Sequence, residues 1–264
     1  MLKRWSFLGL LLASMVIASC SKHSRVMKSQ DNDLKYEVAV DYYEKGDYYR
    51  AIQLFDQLIA ISRGTERLED INYYYANCYY QQEDYLLASY YFKRFAQNYP
   101  SSPRAEECMF LNAYCYYLDS PRYSLDQTNT YEAIKEMQLF INLYPQSDSI
   151  PSCNRIIDEL RAKLERKAIE IGIQYYKTRH YKAAITALEN VMEDYPDSEN
   201  REEIMYFIMK SYYFYALNSV DEKQTERFQQ AIELYDDIMY LFPDTRYARE
   251  LNSMQKNALE KVSY

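Results

Sequence analysis

The apolar positions of this chain recur at helical spacing and mark out a unit of two helices. In residues 75–100 an apolar stretch (YANCYY) is followed by a polar turn (QQED) and then by a second amphipathic stretch that ends before Pro100. Small side chains at Ala76 and Ala88, twelve residues apart, would allow the two helices to approach closely. Pro100 would end the second helix, because proline cannot continue one. The pattern therefore predicts a helical hairpin.

Five copies of this unit align on an alanine in the second helix: Ala51, Ala88, Ala133, Ala184 and Ala231. In the last four copies a proline follows the alanine by twelve residues, and in the first copy Gly64 lies one place beyond the equivalent position. Repeats three and five carry eight additional residues between their helices, around 120–130 and 218–227. A repeat of this length is typical of a solenoid, in which each helix pair buries its apolar face against its neighbours.

The sequence thus predicts an all-α fold, an α-solenoid of five helix pairs plus a C-terminal helix, over residues 34–264. The repeats are expected at 34–66, 67–102, 103–148, 152–199 and 200–246, with a capping helix at 247–264. Ser101, Ser147, Ser198 and Thr245 closely follow the prolines and are expected to act as helix N-caps.

The N-terminal segment has the layout of a bacterial lipoprotein signal. Lys3 and Arg4 precede an apolar stretch at 7–17, and small residues then lead to Cys20. This stretch is too short to span a membrane, so we expect a signal peptide at 1–19 and lipid on Cys20. An ordinary cleaved signal with an unmodified cysteine is the alternative. Residues 20–33 lack periodicity and are expected to form a flexible tether. No cofactor other than the covalent lipid is expected.

Composition narrows the possible functions. The formal net charge of −8 makes the chain a poor candidate for nucleic-acid binding, which relies on neutralising phosphates. Its two histidines, His23 and His180, have no partner at metal-ligand spacing, and P-loops, dinucleotide fingerprints and nucleophile elbows are absent. We therefore expect no catalytic residue, no metal site and no nucleic-acid partner. A pair of carboxylates is the one catalytic arrangement that the sequence leaves open.

The remaining cysteines have two interpretations. Cys78, Cys108, Cys115 and Cys153 are even in number, and an oxidising compartment would permit disulfides. All four lie among apolar helical neighbours. Cys108 and Cys115 are seven residues apart on one predicted helix, so their backbones are about 10 Å apart, too far for a bridge. We favour buried free thiols that pack as small hydrophobic side chains.

Tyrosine is unusually frequent, with 32 residues, and many of these lie at a fixed register of the repeat. Each first helix carries an aromatic pair: Tyr42-Tyr43, Tyr79-Tyr80, Tyr116-Tyr117, Tyr175-Tyr176 and Phe214-Tyr215. In repeats one to three another aromatic precedes the second member by seven residues: Tyr36, Tyr73 and Phe110. Residues seven apart share one helix face, so these side chains form parallel ladders. They could expose a binding surface or merely seal contacts between repeats.

The repeat pattern resembles tetratricopeptide repeats (TPRs) over about residues 34–250. Five such units behind a lipobox-like cysteine further resemble the BamD family, lipoproteins of the outer-membrane β-barrel assembly machinery. Residues 99–107 (YPSSPRAEE) and the two longer repeats carry this closer match. The resemblance implies a right-handed solenoid whose first aromatic of each pair packs on the partner helix and whose second faces a concave groove. It also implies an outer-membrane lipoprotein whose body faces the periplasm.

The resemblance implies two protein partners as well: the Omp85-class barrel assembly protein, and unfolded outer-membrane proteins recognised by an aromatic C-terminal signal. The expected peptide-binding groove consists of Tyr36, Tyr43, Tyr73, Asn77, Tyr80, Phe110 and Tyr117. Asn77 would hydrogen-bond the peptide backbone, or simply be solvated. The Omp85 contact would then lie on repeats four and five. A TPR lipoprotein that scaffolds cell-envelope or peptidoglycan complexes is the alternative function; a glycan-binding surface lipoprotein would require added loops that this chain does not have.

Overall fold

The structure is a computed structural model that describes residues 22–263. Within that range the chain forms twelve helices and no strand. They are α1 (22–27), α2 (Asn32–Glu44), α3 (Tyr48–Ile61), α4 (Arg67–Gln81), α5 (Tyr85–Asn98), α6 (Ala105–Leu118), α7 (Thr128–Leu143), α8 (Ile150–Lys177), α9 (Tyr181–Asp194), α10 (Arg201–Leu217), α11 (Asp221–Leu241) and α12 (Ala248–Val262). The predicted all-α architecture of five helix pairs followed by a C-terminal helix is confirmed.

The described chain divides into two compact bodies. The N-terminal body comprises residues 22–121 and Asp126–Asp158, and it contains repeats one to three. Its core includes Phe55, Leu58 and Ile71 from neighbouring helices. The C-terminal body comprises Arg122–Leu125 and residues 159–263, and its core is built by α8 to α12.

Small residues mark the close approach of the two helices in each pair. All five alanines used to align the repeats are completely buried. The first helices place a small residue at the matching depth: Ala39, Ala76, Ala113, Gly172 and Ser211. At Gly172 a Cβ atom would lie only 2.5 Å from Leu188 of α9, so this crossing requires glycine. The sequence pattern therefore reported true helix–helix contacts.

The ends of the second helices follow from local chemistry. Asp47 and Asp84 cap α3 and α5 by accepting hydrogen bonds from the backbone N–H groups of Arg50 and Leu87. At the other end, α5, α7, α9 and α11 all finish one residue before an aromatic residue that precedes proline. The predicted proline stops are thus confirmed.

Part of the expected tether is helical. Residues 22–27 form α1, Val26 is buried in the N-terminal core, and His23 bonds Gln53 at 3.0 Å. Asp31 caps α2 by accepting from the N–H of Leu34. Only a short non-helical link separates α1 from α2. The prediction of a flexible tether was wrong for this part because residues 20–33 lack a repeating apolar pattern. A six-residue helix with one buried apolar residue is too short to show such a pattern.

The additional residues of repeats three and five take different forms. In repeat three they form the link between α6, which ends at Leu118, and α7, which begins at Thr128. In repeat five they instead extend α11, which begins at Asp221 and is 21 residues long. Asp221 and Glu222 in its first turn favour a helix start. The expected loop around 218–227 is therefore wrong for most of its length.

The hydroxyl residues that follow the prolines do not cap helices. Ser102, rather than Ser101, donates to Glu69 of the first helix of the same repeat at 2.6 Å, and Thr245 donates to Glu202 at 2.6 Å. Ser198 donates to Glu165 in the same way. Each hydroxyl also accepts a backbone N–H two residues later. These side chains therefore join the link after a second helix to the first helix of the same repeat, and the predicted role as N-caps is wrong.

The four cysteines of the described chain are free and buried, as favoured from the sequence. Burial raises the pKa of the Cys78, Cys108 and Cys115 thiols to about 12. Thiols with such a pKa stay protonated at neutral pH and are poor nucleophiles. They act as packing residues.

Candidate functional site

The expected groove residues lie on the first helices of repeats one to three, in the N-terminal body. Tyr36 and Tyr43 belong to α2, Tyr73 and Tyr80 to α4, and Phe110 and Tyr117 to α6. We call these six side chains the aromatic ladder. All six are partly buried and partly exposed. Each ring therefore combines a packing face with a face that solvent can reach.

Tyr73 has the most elaborate surroundings of the ladder. Its hydroxyl bonds both carboxylate oxygens of Glu107 at 3.2 Å, and its ring packs on Phe95. The guanidinium of Arg104 lies 4.6 Å from the ring centroid, a cation–π distance, and donates to Asp70 at 2.6 Å. Burial raises the pKa of Tyr73 to about 12, with the Glu107 carboxylate as the next cause. The hydroxyl is therefore a neutral donor at physiological pH.

The same module occurs 37 residues earlier. Arg67 lies 5.0 Å from the ring centroid of Tyr36 and pairs with Asp33. Burial is the main cause that raises the pKa of Tyr36. In both copies, an arginine at the start of the next repeat covers a ladder tyrosine and bonds an aspartate three residues before that tyrosine. Sequence reasoning missed these arginines, although their spacing of 37 equals that of the tyrosines.

The second members of the aromatic pairs also pack on neighbouring rings. Tyr43 contacts Tyr48 of its partner helix and Tyr74 of the next repeat, with centroids 5.7 and 5.0 Å apart. Tyr80 contacts Tyr85 and Phe92 of α5. The resemblance had assigned packing on the partner helix to the first member alone. Of the first members, Tyr79 stacks on Tyr91 of its partner helix at 5.3 Å. In repeat four the expectation is wrong, because Tyr175 is 41% exposed and the second member, Tyr176, contacts Tyr181 of the partner helix.

In repeat three the ladder forms a short aromatic cluster. Phe110 stacks on Tyr114 with centroids 5.6 Å apart and meets Phe140 of α7 edge-on. Tyr117 contacts Tyr114 from the other side at 5.5 Å. Tyr114 thus joins two ladder residues, and it was not among the predicted site residues.

Asn77 is only 8% exposed. Its amide nitrogen donates to the backbone oxygen of Tyr73 in the same helix at 2.9 Å. One N–H donor of the Asn77 amide is therefore used within α4. Fewer hydrogen-bonding groups of this side chain remain for a peptide.

A second row of apolar side chains is more exposed than the ladder. Tyr49, Leu86 and Tyr131 precede the aligned alanines by two residues, and they are 70%, 59% and 61% exposed. Repeats four and five carry Lys182 and Gln229 at this position. The sequence analysis did not predict this row.

Residues 1–21, which include the expected signal peptide and the lipidation site Cys20, lie outside the described part of the chain. In residues 22–263, no three His, Cys, Asp or Glu side chains are grouped as metal ligands would be. None of the described helices is both long and apolar enough to cross a membrane.

The family model of YfiO, described as outer membrane lipoprotein, matches residues 27–227, and a second match covers 174–263. The chain belongs to the YfiO family of outer membrane lipoproteins. This is the BamD-like family that the sequence resembles, so that prediction is confirmed. Membership associates the chain with the outer membrane.

Two solved structures of TPR domains are similar to this YfiO chain. The TPR2AB domain of yeast Sti1, solved as a pHSP90 complex, aligns with a TM-score of 0.39 and 12% identity, covering 86% of this chain and 98% of that chain. The TPR domain of P58(IPK) aligns with a TM-score of 0.39 and 14% identity, covering 95% of this chain and 62% of that chain. No curated protein matches the sequence.

Proposed function

We propose that this chain is a non-enzymatic scaffold lipoprotein of the outer-membrane β-barrel assembly machinery. It is anchored by lipid on Cys20, its body faces the periplasm, and it binds the Omp85-class barrel protein together with the C-terminal signals of unfolded outer-membrane proteins. The observation that carries this proposal is the YfiO match, which extends over nearly all of residues 27–263. No resident cofactor is part of the proposal.

The aromatic ladder supports the substrate-binding part of the proposal. Its partly exposed rings offer rigid apolar contacts, and the hydroxyls of Tyr36, Tyr43 and Tyr80 add polar ones, as at peptide-binding interfaces. The guanidinium groups of Arg67 and Arg104 lie directly over two ladder rings. An extended peptide with aromatic or aliphatic side chains and a free carboxylate suits this combination of rings and cations.

The partner claim is tested by affinity purification of the lipidated full-length protein from solubilised envelopes, with identification by mass spectrometry. We expect an Omp85-class protein in near-stoichiometric amount, and the same recovery from a Tyr49→Ala variant. Recovery of peptidoglycan or trans-envelope proteins without an Omp85-class protein would refute the barrel-assembly role and favour the envelope scaffold.

The substrate site is tested separately with a labelled decapeptide that ends in phenylalanine. The variant Tyr43→Ala/Tyr80→Ala is expected to bind it about tenfold more weakly, equal to a loss of about 1.4 kcal/mol. The control variant Tyr49→Ala/Tyr131→Ala removes two tyrosines of the second row. Equal binding by the ladder variant and the native protein, with circular dichroism unchanged, would contradict this site.

A further inference from the structure

A cleft of about 850 Å³ lies in the C-terminal body, beside the turn that joins α8 to α9. Ala183, Thr186 and Ala187 of α9 line it, and their small side chains leave the space open. Tyr175 of α8 and Tyr215 of α10 also line the cleft, and Tyr175 is 41% exposed. The volume is within the range of about 300–1,000 Å³ that is typical of ligand-binding sites.

The charged side chains that line this cleft are basic. Arg179 and Lys182 belong to the lining, as does His180, and no carboxylate does. Across the described residues, neither Arg179 nor Lys182 has a carboxylate within ion-pair distance. The whole chain has a net charge of −8, so a cleft whose charged lining residues are all basic is a local reversal of charge.

The reversal is also visible when the repeats are aligned. Arg179-His180 stands where repeat one has Gly46-Asp47 and repeat two has Glu83-Asp84. Lys182 likewise stands where those repeats have an exposed apolar residue. The corresponding turns of repeats one and two carry an aspartate that caps the following helix. In repeat four the corresponding surface attracts a carboxylate.

We propose that this cleft binds an acidic peptide segment of a partner protein, in which a carboxylate side chain lies next to an aromatic one. Arg179 and Lys182 supply charged donors to the carboxylate. The exposed ring of Tyr175 packs against the aromatic side chain, next to Tyr215, whose ring stacks on the Arg227 guanidinium at 3.7 Å. The amide of Asn190, also in the lining, can donate to and accept from the peptide backbone.

This inference supplies a ligand class and residues for repeats four and five, where the Omp85-class contact is expected but its residues are unassigned. The cleft is lined by residues of repeats four and five, whereas the aromatic ladder lies in repeats one to three of the other body. The ligand differs as well, since an internal acidic segment is not a chain-terminal signal. The purified protein and a synthetic peptide test the cleft without any barrel-assembly component, so that the two proposals can fail independently.

The experiment uses the lipidated full-length protein in detergent and fluorescence anisotropy with a labelled, amidated peptide, Gly-Asp-Phe-Asp-Ser-Gly. Two further peptides replace both Asp by Asn, or Phe by Ala. A fourth has no Asp but ends in Phe with a free carboxylate. We expect saturable binding of the first peptide, and affinity at least about tenfold weaker for the Asn and Ala peptides. Binding should weaken as salt is raised, because the attraction is partly screened.

The matched variants remove two positive charges from different places. Arg179→Ser/Lys182→Ser alters the cleft, and Lys177→Ser/Lys256→Ser alters exposed lysines of the same body that do not line it. We expect the first variant to bind the peptide about tenfold more weakly and the second to stay within about twofold of the native protein.

Three results would overturn the proposal: equal peptide affinity in the cleft variant and the native protein; equal affinity for the Asp and Asn peptides; or binding only of the peptide with a free terminal carboxylate. The comparison of peptides uses the native protein alone, so the test stands even if the cleft variant fails to fold.

Discussion

The guanidinium carbon of Arg104 lies 4.6 Å from the centre of the Tyr73 ring, while the same guanidinium donates to Asp70 at 2.6 Å. One repeat earlier, Arg67 has the same relation to Tyr36. An arginine near the start of repeats two and three thus covers an aromatic residue of the previous repeat. This contact both joins neighbouring repeats and sets a cation beside the candidate peptide-binding surface.

Loss of this arginine is expected to weaken the protein modestly. Arg104→Gln removes a partly exposed cation–π contact and a partly exposed ion pair, each worth about 0.5–1 kcal/mol. The unfolding midpoint should fall by about 2–8 °C. Lys45→Gln is the control, because it removes an exposed ion pair with Asp41 and no ring contact. Thermal unfolding followed by circular dichroism measures both, and equal midpoints for the two variants would contradict the role of the Tyr73 ring.

A buried carboxylate is expected to matter more. Glu136 is only 2% exposed and accepts hydrogen bonds from Lys93 at 2.6 Å and Asn112 at 2.7 Å. Glu136→Ala leaves the buried Asn112 amide without this acceptor, and we expect a loss of about 2–3 kcal/mol in the free energy of unfolding. Urea unfolding measures it. Glu132→Ala, which breaks the exposed pair with Lys135, should cost under about 0.5 kcal/mol; similar losses for the two would refute the network.

At the crossing of α8 and α9, helix propensity and packing predict opposite changes in stability for Gly172→Ala. Alanine is the better helix former by about 1 kcal/mol, so propensity alone favours Gly172→Ala. Its new Cβ, however, would lie 2.5 Å from Leu188. We expect overpacking to dominate and the variant to be destabilised by about 1–3 kcal/mol. In the Leu188→Ala background the same change should cost less or stabilise, and an equal cost in both backgrounds would exclude this contact as the cause.

Alkaline pH should destabilise the N-terminal body through its thiols. Burial raises the pKa of Cys78, Cys108 and Cys115 from about 9 to about 12, so the folded state retains protons that the unfolded state releases. Their contribution is complete below the unfolded pKa and is lost as pH rises from about 9 toward 12. Tyr73 acts in the same direction at slightly higher pH.

We expect the free energy of unfolding to fall between about pH 8 and about pH 10.5, and to fall less in a variant with alanine at Cys78 and Cys115. In the native protein at about pH 8, these thiols should also resist alkylation, since the thiolate is the reactive form. An identical pH dependence in the parent and the variant would show that the thiols do not contribute.

The fold was largely predictable from the sequence because the same pattern of alanine, aromatic and proline positions recurs in successive repeats. The buried alanines at 51, 88, 133, 184 and 231 and the aromatic-proline helix ends can be read directly, since each has one local cause. Structural elements that do not recur from repeat to repeat could not be predicted in this way. The helix at 22–27 has a single buried anchor, Val26, and the extension of α11 depends on helix propensity that a repeat alignment treats as insertion.

The helices and spacing of the aromatic ladder could be predicted from the sequence, but the contacts of its side chains could not. Spacing brought out Tyr36 and Tyr73, yet their arginine partners come from the following repeat and are recognisable only once the helices are packed. Ser102 shows the same limit, because a hydroxyl after proline is compatible with capping as well as with its bond to Glu69. The spacing of residues in the sequence shows which positions share a helix face. Which side chains pair with one another becomes visible only in the packed structure.

The most direct test of the account is photo-crosslinking in cells, with a photoreactive amino acid in place of single residues of the full-length protein. Tyr80 and Tyr117 represent the ladder, and Tyr49 and Tyr131 represent the more exposed second row. We predict crosslinks to unfolded outer-membrane proteins from the ladder positions and none from the second row. Crosslinks from Tyr49 and Tyr131 alone, or none from either row while the protein co-purifies with its partners, would contradict the ladder as the substrate-binding surface.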